Sequence, residues 1–400
     1  MKKSAQSFIS QNDAFGVHNY SPLPVVLTRG KGAFVFDVEG RKYFDMLSAY
    51  SALNQGHNHP KIAAAAKRQM ERLCLTSRAF YSDRLGEFIE KLCKLSKLDR
   101  ALPMNSGAEA VESAIKAMRL WGYRVKGIRP NKAEIIVCDN NFHGRTTSIV
   151  GFSSEPISRD GFGPFAPGFK HVPFGDAKAL ERAITPQTCG FLFEPIQGEA
   201  GVLIPPPGYY KAIRRLCTHN NVLMCADEIQ TGLGRTGALF CLDHEKVLPD
   251  LLVMGKALSG GFYPISAVAG KDEVLSLFTP GSHGSTYGGS PLAAAIGCAA
   301  LDVIVREHLA LKSKKLGALF MQHLSDLRHP EIKEVRGRGL LVAVEFKKPA
   351  AKEFCKALMK YGLLAKDTHQ TIVRFAPPLV ISRTQIGQAA RIIRRALETF

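Results

Sequence analysis

The sequence predicts an α/β fold with a mainly parallel sheet that helices cover on both faces. Short apolar runs bounded by turn residues alternate with longer helical patterns, and parallel strands need such crossover helices. The apolar runs predict buried strands at 135–137, 190–193, 222–226, 251–254 and 265–268, and helical patterns lie at 107–121 and 208–219. Sheets of this kind bind ligands outside the carboxyl ends of their strands, so we expect the chemistry at those ends.

The chain of 400 residues is too long for one hydrophobic core, so more than one domain is expected. Ser290 and Pro291 predict a helix start, because a hydroxyl side chain caps a first turn and proline suits its first position. The apolar pattern that follows predicts a long helix to about Glu307 that leaves the central domain.

Beyond that helix the sequence predicts a second, smaller α/β unit. Its predicted elements are a strand at 340–346, a helix at 350–361 and a strand at 372–375. We expect the N-terminal segment, which has a strand-like run at 33–37, to pack beside this unit. The predicted division of the chain is 1–50 for the N-terminal segment, 51–290 for the large domain and 291–400 for the small domain.

The charge balance is basic, since 53 Lys and Arg residues against 35 Asp and Glu residues give a net charge of +18. This charge favours nucleic acid, an anionic membrane or small anionic substrates as partners. The basic residues are scattered, without a tract of five, zinc-ligand spacing or an aromatic RNA-binding run. We therefore expect no nucleic acid, and a basic surface without a specific partner is the alternative explanation of the charge.

The sequence contains no run of eighteen apolar residues, so no membrane-spanning segment is expected. Segment 1–7 has two lysines without an apolar stretch behind them, which argues against a secretory signal. The nine cysteines include no C-x-x-C pair, and most stand in apolar surroundings, as reduced core residues do. Together these observations predict a cytoplasmic protein.

The first candidate binding element is a predicted helix start at Ser106. Ser106 and Glu109 have the spacing of a capping box, which predicts a helix from about residue 108. Gly107 lets the backbone approach a ligand, and the N–H groups at a helix N-terminus attract anions such as phosphate. A capping box without a ligand is the alternative, since this motif is common.

The apolar run 222–226 ends in Asp227 and Glu228. Adjacent strand residues point to opposite faces, so these two carboxylates are not expected to act as a pair on one substrate. A P-loop is excluded because the sequence around 255–256 lacks the first glycine and the hydroxyl residue of that motif. Segment 232–237 matches G-x-G-x-x-G but neither follows a strand directly nor opens a helix, so an NAD-dependent oxidoreductase is a distant alternative.

Lys256 follows the apolar run 251–254 in a setting flanked by glycines. Desolvation there would lower the pKa of its amine and make the amine nucleophilic toward a carbonyl. A lysine and Asp227 at strand tips, together with a helix N-terminus near Gly107, are the three parts that a pyridoxal phosphate site requires. In such a site the aspartate keeps the ring nitrogen protonated.

These residues belong to a resemblance that extends over nearly the whole chain, from Asn19 to Leu379. Seven motifs occur in order, namely LTSRAFY, MNSGAEA, NFHGRT, FEPIQGEAGV, ADEIQTGLGRTG, GKALSGG and GSTYGG. The chain resembles the class III, fold-type I aminotransferases that depend on pyridoxal 5′-phosphate, and among them most of all the ornithine aminotransferases. The resemblance implies a large domain with a mainly parallel sheet, a smaller α/β domain built from the N- and C-terminal segments, and a homodimer.

The resemblance implies a set of cofactor-binding residues. Lys256 would bind the cofactor covalently and shuttle the proton at the reacting carbon. Asp227 would pair with the pyridinium nitrogen, and Gln230 would bond the 3′-oxygen of the ring. Gly107 and Ala108 would donate backbone N–H groups to the phosphate.

Two further cofactor contacts are implied, and three histidines are interpreted as structural. Phe142 would stack on the ring, and Thr286 would reach the phosphate of the neighbouring subunit. We interpret His143 as loop packing, since the lysine already moves the proton. His57 and His59 resemble a metal-binding pair, but no acidic or cysteine residues lie near them in sequence, so loop packing without a metal is expected there too.

The resemblance also implies how substrates are selected. Arg374 would bind the α-carboxylate of 2-oxoglutarate with both guanidinium nitrogens, and Arg145 would bind its distal carboxylate. Glu199 would mask Arg374 with an ion pair when ornithine binds, so that the distal amine of ornithine faces the cofactor. Tyr20, with Arg145, would hold the other end of ornithine, and Tyr50 would line the pocket.

The implied reaction moves the δ-amino group of L-ornithine to 2-oxoglutarate by a ping-pong mechanism and gives glutamate 5-semialdehyde and L-glutamate. The sequence departs from the family pattern at Ser290, where asparagine is usual, and at Gly234, where ornithine aminotransferases have alanine. Glycine at the second position also occurs in relatives that act on other amines. N-acetylornithine or 4-aminobutyrate aminotransferase activity is therefore the alternative.

Overall fold

The computed structural model describes residues 4–399. Part of segment 1–7, on which the prediction against a secretory signal depends, lies outside the described residues. The helices are α1 (Ala5–Phe15), α2 (Ser48–Ser51), α3 (Pro60–Met70), α4 (Leu85–Ser96), α5 (Gly107–Arg124), α6 (Thr147–Val150), α7 (Pro156–Arg159), α8 (Ala177–Ala183), α9 (Tyr209–His219), α10 (Asp272–Leu275), α11 (Pro291–Arg306), α12 (Leu309–Ser325), α13 (Ala351–Lys360) and α14 (Arg383–Glu398). Two short 3-10 helices span Cys241–Glu245 and Lys256–Ser259.

The strands fall into three sheets. They are β1 (Leu27–Lys31), β2 (Phe34–Asp37), β3 (Lys42–Asp45), β4 (Arg100–Met104), β5 (Glu134–Cys138), β6 (Phe169–Val172), β7 (Thr188–Phe193), β8 (Leu223–Asp227), β9 (Leu251–Met254), β10 (Ser266–Gly270), β11 (Ile332–Arg338), β12 (Leu341–Phe346), β13 (Leu363–Leu364), β14 (Lys366–Thr368) and β15 (Ile372–Phe375).

The largest sheet has seven strands in the order β4-β10-β9-β8-β7-β5-β6. Within it, β10 alone runs opposite to the other six strands, so the prediction of a mainly parallel sheet is confirmed. All five strands predicted from apolar runs are present, because strands covered on both faces are apolar throughout. Strands β4 and β6 were not predicted, because they are edge strands with partly exposed residues and a weaker apolar pattern.

The other strands form two four-stranded sheets, β1-β2-β3-β13 and β11-β12-β15-β14. Strand β13 pairs in parallel with β3, so the C-terminal part of the chain is hydrogen-bonded to the N-terminal part. The strands predicted near 33–37, 340–346 and 372–375 are present as β2, β12 and β15, and the helix predicted at 350–361 is α13. The domain boundaries at residues 50 and 290 stay predictions.

Two helix starts predicted from capping residues are confirmed. The Ser106 hydroxyl accepts the N–H of Glu109, and the Glu109 carboxylate accepts the N–H of Ser106 at the start of α5. The Ser290 hydroxyl accepts the N–H of Ala293 at the start of α11, where Pro291 is the first residue. These caps satisfy N–H groups that lack an intrahelical partner. Because β4 leads into α5, the N-terminus of α5 lies at the carboxyl edge of the large sheet.

Within residues 4–399, no helix is long and apolar enough to cross a bilayer. All nine cysteines are free thiols, and seven of them are buried, as predicted for most of them. Burial raises the pKa of these core thiols, for example that of Cys189 to about 12. They therefore act as small apolar residues of the core.

Candidate active site

A cavity of about 220 Å³ lies at the carboxyl ends of the central parallel strands. The loops that follow β5, β7, β8 and β9 provide most of its wall, as expected for an open parallel sheet. The residues predicted from the sequence that line this cavity are Gly107, Ala108, Phe142, Glu199, Asp227, Gln230 and Lys256.

Lys256 lies just beyond the end of β9 and lines the cavity. Burial lowers the pKa of its amine, and the charge of Glu199 opposes this shift only in part. Its backbone has a φ of +42°, a left-handed value that strains a residue with a side chain and that recurs at functional sites. The lowered pKa favours an uncharged, nucleophilic amine.

Asp227 ends β8, and its carboxylate enters the same cavity. Asp227 Oδ2 lies 2.7 Å from His143 Nδ1, and Oδ1 accepts the N–H of Ile229 at 3.1 Å. Glu228 turns the other way and accepts the Thr231 hydroxyl and two N–H groups of the 3-10 helix Cys241–Glu245. The prediction that the two acids point to opposite faces is therefore confirmed.

The interpretation of His143 as loop packing is wrong. The residue is buried, lines the cavity and bonds Asp227, which is 84 positions away in the chain. Its Nε2 atom is buried and has no hydrogen-bond partner among the described residues. The position of His143 next to Phe142 was the available signal, but the sequence alone does not say that the loop after β5 reaches the tip of β8.

Glu194 is a buried site residue that the sequence analysis missed. It follows β7 directly, lines the cavity, and accepts the N–H of Phe142 at 2.9 Å. Burial, followed by the charge of Asp227, raises the pKa of Glu194 well above its ordinary value. An acid directly after the apolar run 190–193 is the same signal that identified Asp227, so this residue could have been found.

The N-terminus of α5 forms one side of the cavity through Gly107 and Ala108. A Cβ atom on Gly107 would lie 3.0 Å from Ile229 Cδ1, so the site is narrow at this point. The carboxylate of Glu109 accepts the N–H groups of Asn105 and Ser106 and thereby holds the turn that leads into the helix. The first N–H groups of a helix attract an anion, which makes this the phosphate-binding candidate.

Arg374, on β15 of a smaller sheet, is almost fully buried and contacts Glu199, which lines the cavity. Its Nη1 atom lies 2.8 Å from Glu199 Oε1, and Gln230 Nε2 donates to the same oxygen at 3.1 Å. Burial raises the pKa of Glu199, but the charge of Arg374 and that of Lys256 outweigh burial and leave the pKa lowered. Glu199 is therefore held as a carboxylate against the guanidinium.

Tyr50 completes this group from the N-terminal segment. The guanidinium carbon of Arg374 lies 5.5 Å from the centroid of the Tyr50 ring, within cation–π range. Burial, followed by the charge of Glu199, raises the pKa of the Tyr50 hydroxyl. Tyr20, which is 67% exposed, lies with Tyr50 in a second, neighbouring cavity of about 500 Å³ rather than in the first.

Tyr50 lies in α2, which is a single left-handed turn. Its residues Ser48, Ala49, Tyr50 and Ser51 have φ values of +52°, +48°, +60° and +74°. A left-handed helical conformation costs about 1–2 kcal/mol for each L-residue, so the surrounding structure has to hold this turn in place.

Besides Arg374, Tyr20 and Tyr50, two further predicted site residues do not line the first cavity. Arg145 is exposed, with its guanidinium carbon 5.8 Å from the ring centroid of Phe142. Thr286 is exposed in the segment between α10 and α11. The structure therefore brings Phe142 to the cavity but neither of these two, and their roles stay predictions.

The two histidines of the 57–59 segment have separate acidic partners. His57 Nε2 lies 2.7 Å from Asp45 Oδ2, and His59 Nε2 lies 3.3 Å from Glu307 Oε1. Neither acid could be identified as a partner from the sequence, because each lies on another element that the fold brings next to the histidine. Both histidines therefore have structural contacts, as the loop-packing interpretation expected.

Segment 232–237, the match to a dinucleotide motif, is a buried loop that joins parts of the fold. Arg235 in this loop donates to the carbonyl oxygens of Leu340 and Pro377. The next element is the short 3-10 helix Cys241–Glu245 rather than a crossover helix, which argues against a dinucleotide site. Gly234, the departure noted in the sequence, faces Leu379 and Ala310 rather than the cavity.

The chain is similar to known proteins over almost its entire length. Residues 15–397 match the model of the family "Aminotransferase class-III". An ornithine aminotransferase of Brevibacillus brevis is 55% identical over 97% of each chain.

Two solved structures are similar over almost the entire chain. The ornithine aminotransferase of Toxoplasma gondii has a TM-score of 0.98 at 44% identity and covers 99% of this chain and 96% of its own. The acetylornithine aminotransferase of Elizabethkingia anophelis has a TM-score of 0.93 at 51% identity over the full length of both chains. With a family match that extends over nearly all of its length, this chain belongs to the class III aminotransferases.

Proposed function

We propose that this protein transfers the δ-amino group of L-ornithine to 2-oxoglutarate and gives glutamate 5-semialdehyde and L-glutamate. The observation that carries the proposal is the 2.8 Å ion pair between Arg374 Nη1 and Glu199 Oε1 at the cavity. An enzyme that acts on the distal amine of a diamino acid has to keep the α-carboxylate of that substrate away from this arginine. The relative named ornithine aminotransferase, at 55% identity, supports the same substrate.

Class III aminotransferases use pyridoxal 5′-phosphate, and the cavity residues fit this group. Lys256 offers an amine of lowered pKa to the aldehyde, and Asp227 offers a carboxylate to the ring nitrogen. Gln230 Oε1 is a buried acceptor without a partner in residues 4–399, and the N-terminus of α5 suits the phosphate. When bound, the cofactor supplies an electron-withdrawing ring that takes up the electrons released when a proton leaves the amine-bearing carbon.

The residues of the chain itself move and hold the protons. Lys256, whose amine has a pKa lowered by burial, would accept the proton that leaves the δ-carbon of ornithine and pass it to the reacting carbon of the cofactor. In the second half-reaction the transfer would run the other way, onto the α-carbon of the new glutamate. Asp227 holds a proton at the ring nitrogen, and the 2.7 Å bond to His143 fixes the orientation of its carboxylate. Glu194 accepts the N–H of Phe142, and this bond would help to place the Phe142 ring where it could stack on the cofactor.

Substrate selection depends on whether the ion pair between Glu199 and Arg374 is formed or broken. While Glu199 covers Arg374, Tyr20 and Arg145 bind the α-amino and α-carboxylate groups of ornithine, and Tyr50 closes the pocket beside them. When 2-oxoglutarate enters, Glu199 leaves Arg374, and the guanidinium binds the α-carboxylate with two hydrogen bonds. Arg145 then binds the distal carboxylate.

A homodimer is part of the proposal. Thr286 is exposed and lies outside the cavity of its own chain, as expected for a residue that binds the phosphate of a neighbouring subunit. Phe80, Tyr81 and Tyr287 are large side chains that are exposed in the single chain, and burial of such side chains is a common result of association. We expect a dimer by light scattering, and we expect Thr286→Ala to weaken cofactor binding without dissociating the dimer.

The cytoplasm is the proposed compartment. Nine free cysteines, with Cys74 exposed, fit a reducing environment. Fractionation of cells that produce the protein, followed by immunodetection, tests this location. Detection mainly outside the cytoplasmic fraction would contradict it.

A substrate panel tests the proposed reaction. Purified protein loaded with pyridoxal phosphate is given 2-oxoglutarate with ornithine, N-acetylornithine or 4-aminobutyrate, and the glutamate formed is measured. We expect ornithine to have the highest kcat/KM and to bleach the visible absorbance of the lysine-bound cofactor when it is added alone.

N-acetylornithine is the second candidate donor. The acetylornithine aminotransferase of Elizabethkingia anophelis is 51% identical to this chain, which supports this alternative. A higher kcat/KM with N-acetylornithine than with ornithine would replace the proposed substrate and leave the class of reaction unchanged.

A further inference from the structure

The left-handed turn α2 is the most strained segment next to the cavity. Four consecutive residues with side chains, Ser48 to Ser51, all have positive φ. The hydroxyl groups of Ser48 and Ser51 are buried and have no hydrogen-bond partner within the described part of the chain. These two hydroxyls therefore do not hold the turn, which has backbone hydrogen bonds such as that from the Ala52 N–H to the Ser48 carbonyl at 2.8 Å and further contacts from outside.

Asp45 holds the start of the turn. Its Oδ1 atom accepts the N–H groups of Leu47 at 2.9 Å and Ser48 at 2.8 Å. The other carboxylate oxygen lies 2.7 Å from His57 Nε2. One side chain thus joins the start of the turn to a histidine twelve positions further along.

His57 is itself held rigidly. Its backbone exchanges two hydrogen bonds with Gly32, at 2.9 and 3.0 Å. Its ring packs so closely on Gly30 that a Cβ atom there would lie 2.6 Å from His57 Nδ1. The β1–β2 hairpin therefore fixes the imidazole, and the imidazole fixes the carboxylate of Asp45.

The chain that follows the turn is tied to the segment of the reactive lysine. Gln55 Nε2 donates to the carbonyl oxygen of Ala257, the residue after Lys256, at 2.8 Å. Between these two anchors, Tyr50 lies 5.5 Å from the guanidinium of Arg374. The turn therefore sets where the Tyr50 ring lies relative to the Glu199–Arg374 ion pair.

We propose that Asp45 and His57 are positioning residues for substrate selection, because they clamp the left-handed turn that holds Tyr50 against Arg374. Without the clamp the turn relaxes toward an unstrained backbone, and Tyr50 leaves the guanidinium. Water then reaches the ion pair, Glu199 covers Arg374 less well, and α-carboxylates bind there more readily. This inference rests on the proposed function, since it concerns the choice between ornithine and glutamate as amino donors.

The test is His57→Ala in the full-length, cofactor-loaded protein. We expect the ratio of kcat/KM for ornithine to kcat/KM for glutamate to fall about tenfold, the range of one desolvated cation–π contact. The visible absorbance of the bound cofactor is expected to stay, because Lys256 and Asp227 are untouched. The matched control is His59→Ala, which removes the other histidine–acid pair of the same segment and should leave the ratio unchanged.

A rescue separates positioning from general stabilisation. Glycine adopts positive φ at little cost, so adding Ser51→Gly to His57→Ala lowers the strain of the turn, which then needs fewer stabilising contacts. We expect this double variant to recover most of the lost ratio. Ser51→Ala added to His57→Ala also removes the unpaired hydroxyl but keeps the strain, and it should recover nothing.

The outcomes are distinct. An unchanged ratio in His57→Ala, or equal recovery by Ser51→Gly and Ser51→Ala, overturns the proposal and leaves His57 a plain fold contact. If His57→Ala does not fold, Asp45→Asn takes its place, since its amide oxygen still accepts the backbone N–H groups while the bond to His57 is weakened, and the same ratio decides. A wild-type protein that does not use ornithine refutes the proposed function instead, which is visible before any variant is made.

Discussion

The cofactor end and the substrate end of the cavity are built in different ways. At the cofactor end, Lys256, Asp227 and Gly107 each lie where a strand of one sheet ends and its loop or helix begins. At the substrate end, Glu199 and Arg374 are separated by 175 positions and meet across two sheets.

This difference has a physical reason. Parallel strands of one sheet end at a common edge, so groups at strand tips converge without special contacts. The substrate end has no such common edge, and its groups are held by an ion pair, an amide and a strained turn. We therefore expect variants at the cofactor end to abolish chemistry and variants at the substrate end to change selectivity.

The largest expected effect comes from Lys256→Ala. We expect turnover to fall by at least about 10³-fold and the visible absorbance of the lysine-bound cofactor to disappear, because the proton carrier and the covalent link are both lost. Steady-state kinetics and an absorbance spectrum check this. Lys126→Ala is the control, since this lysine also has a pKa lowered by burial but donates only to backbone carbonyls. Normal turnover in Lys256→Ala would refute the role of the lysine.

Glu199→Ala tests the substrate end. Removing one partner of a charged hydrogen bond is worth about 2 kcal/mol, so we expect the ratio of kcat/KM for ornithine to that for glutamate to fall about thirtyfold. The cofactor spectrum should remain. Glu345→Ala, which removes a carboxylate paired with Arg336 on the same small sheet as Arg374, is the control. An unchanged ratio of the two kcat/KM values would exclude a role of Glu199 in substrate selection.

His143→Ala tests whether the cofactor end also depends on a positioning contact. We expect kcat to fall about tenfold, with little change in the KM for ornithine, since Asp227 loses the bond that orients it. His171→Ala breaks an exposed histidine–aspartate contact of 3.2 Å and should have no such effect. A change in KM alone would mean that His143 acts on the substrate rather than on Asp227.

Glu194→Gln is expected to have the smallest effect on activity, within about threefold, because a neutral amide can still accept the Phe142 N–H. The pKa of Glu194 is raised by burial above its ordinary 4.5, so the folded protein keeps a proton that the unfolded chain releases. The contribution of Glu194 to the stability of the wild type is therefore lost progressively as the pH rises from that value through the raised pKa, and glutamine avoids this loss.

The measurement for Glu194→Gln is the thermal unfolding midpoint of both proteins between about pH 5 and pH 8. We expect the unfolding midpoint of the variant to rise relative to that of the wild type as the pH increases. Equal curves at all pH values would contradict a raised pKa. Glu194→Ala, which also loses the bond to Phe142, should lower activity more than the glutamine variant.

Much of the large sheet could be predicted because buried strands are continuous apolar runs. The apolar runs 135–137, 190–193, 222–226, 251–254 and 265–268 each overlap a strand for this reason. The edge strands β4 and β6 were missed because partial exposure dilutes that pattern. Helix starts at Ser106 and Ser290 were predictable because capping depends on a few adjacent residues.

The site residues fall into the same two groups, those with a local sequence pattern and those without one. Asp227 and Lys256 could be found from single strand-end patterns, and Glu194 could have been found in the same way. His143 was misjudged because its partner lies on another strand, and the pairing of Glu199 with Arg374 came only from the resemblance to a known family. Contacts over 84 and 175 positions leave no local trace in a sequence.

By itself, the order of residues determined the strands, the capped helices and the reactive groups at strand tips, since each depends on side chains within a few positions of one another. Only the folded chain decided that Asp45 and His57 meet, that a left-handed turn presents Tyr50 to Arg374, and that His143 supports Asp227. The physical reason is that hydrogen bonds, ion pairs and strain act over a few ångströms in space, and distance along a chain does not report such proximity.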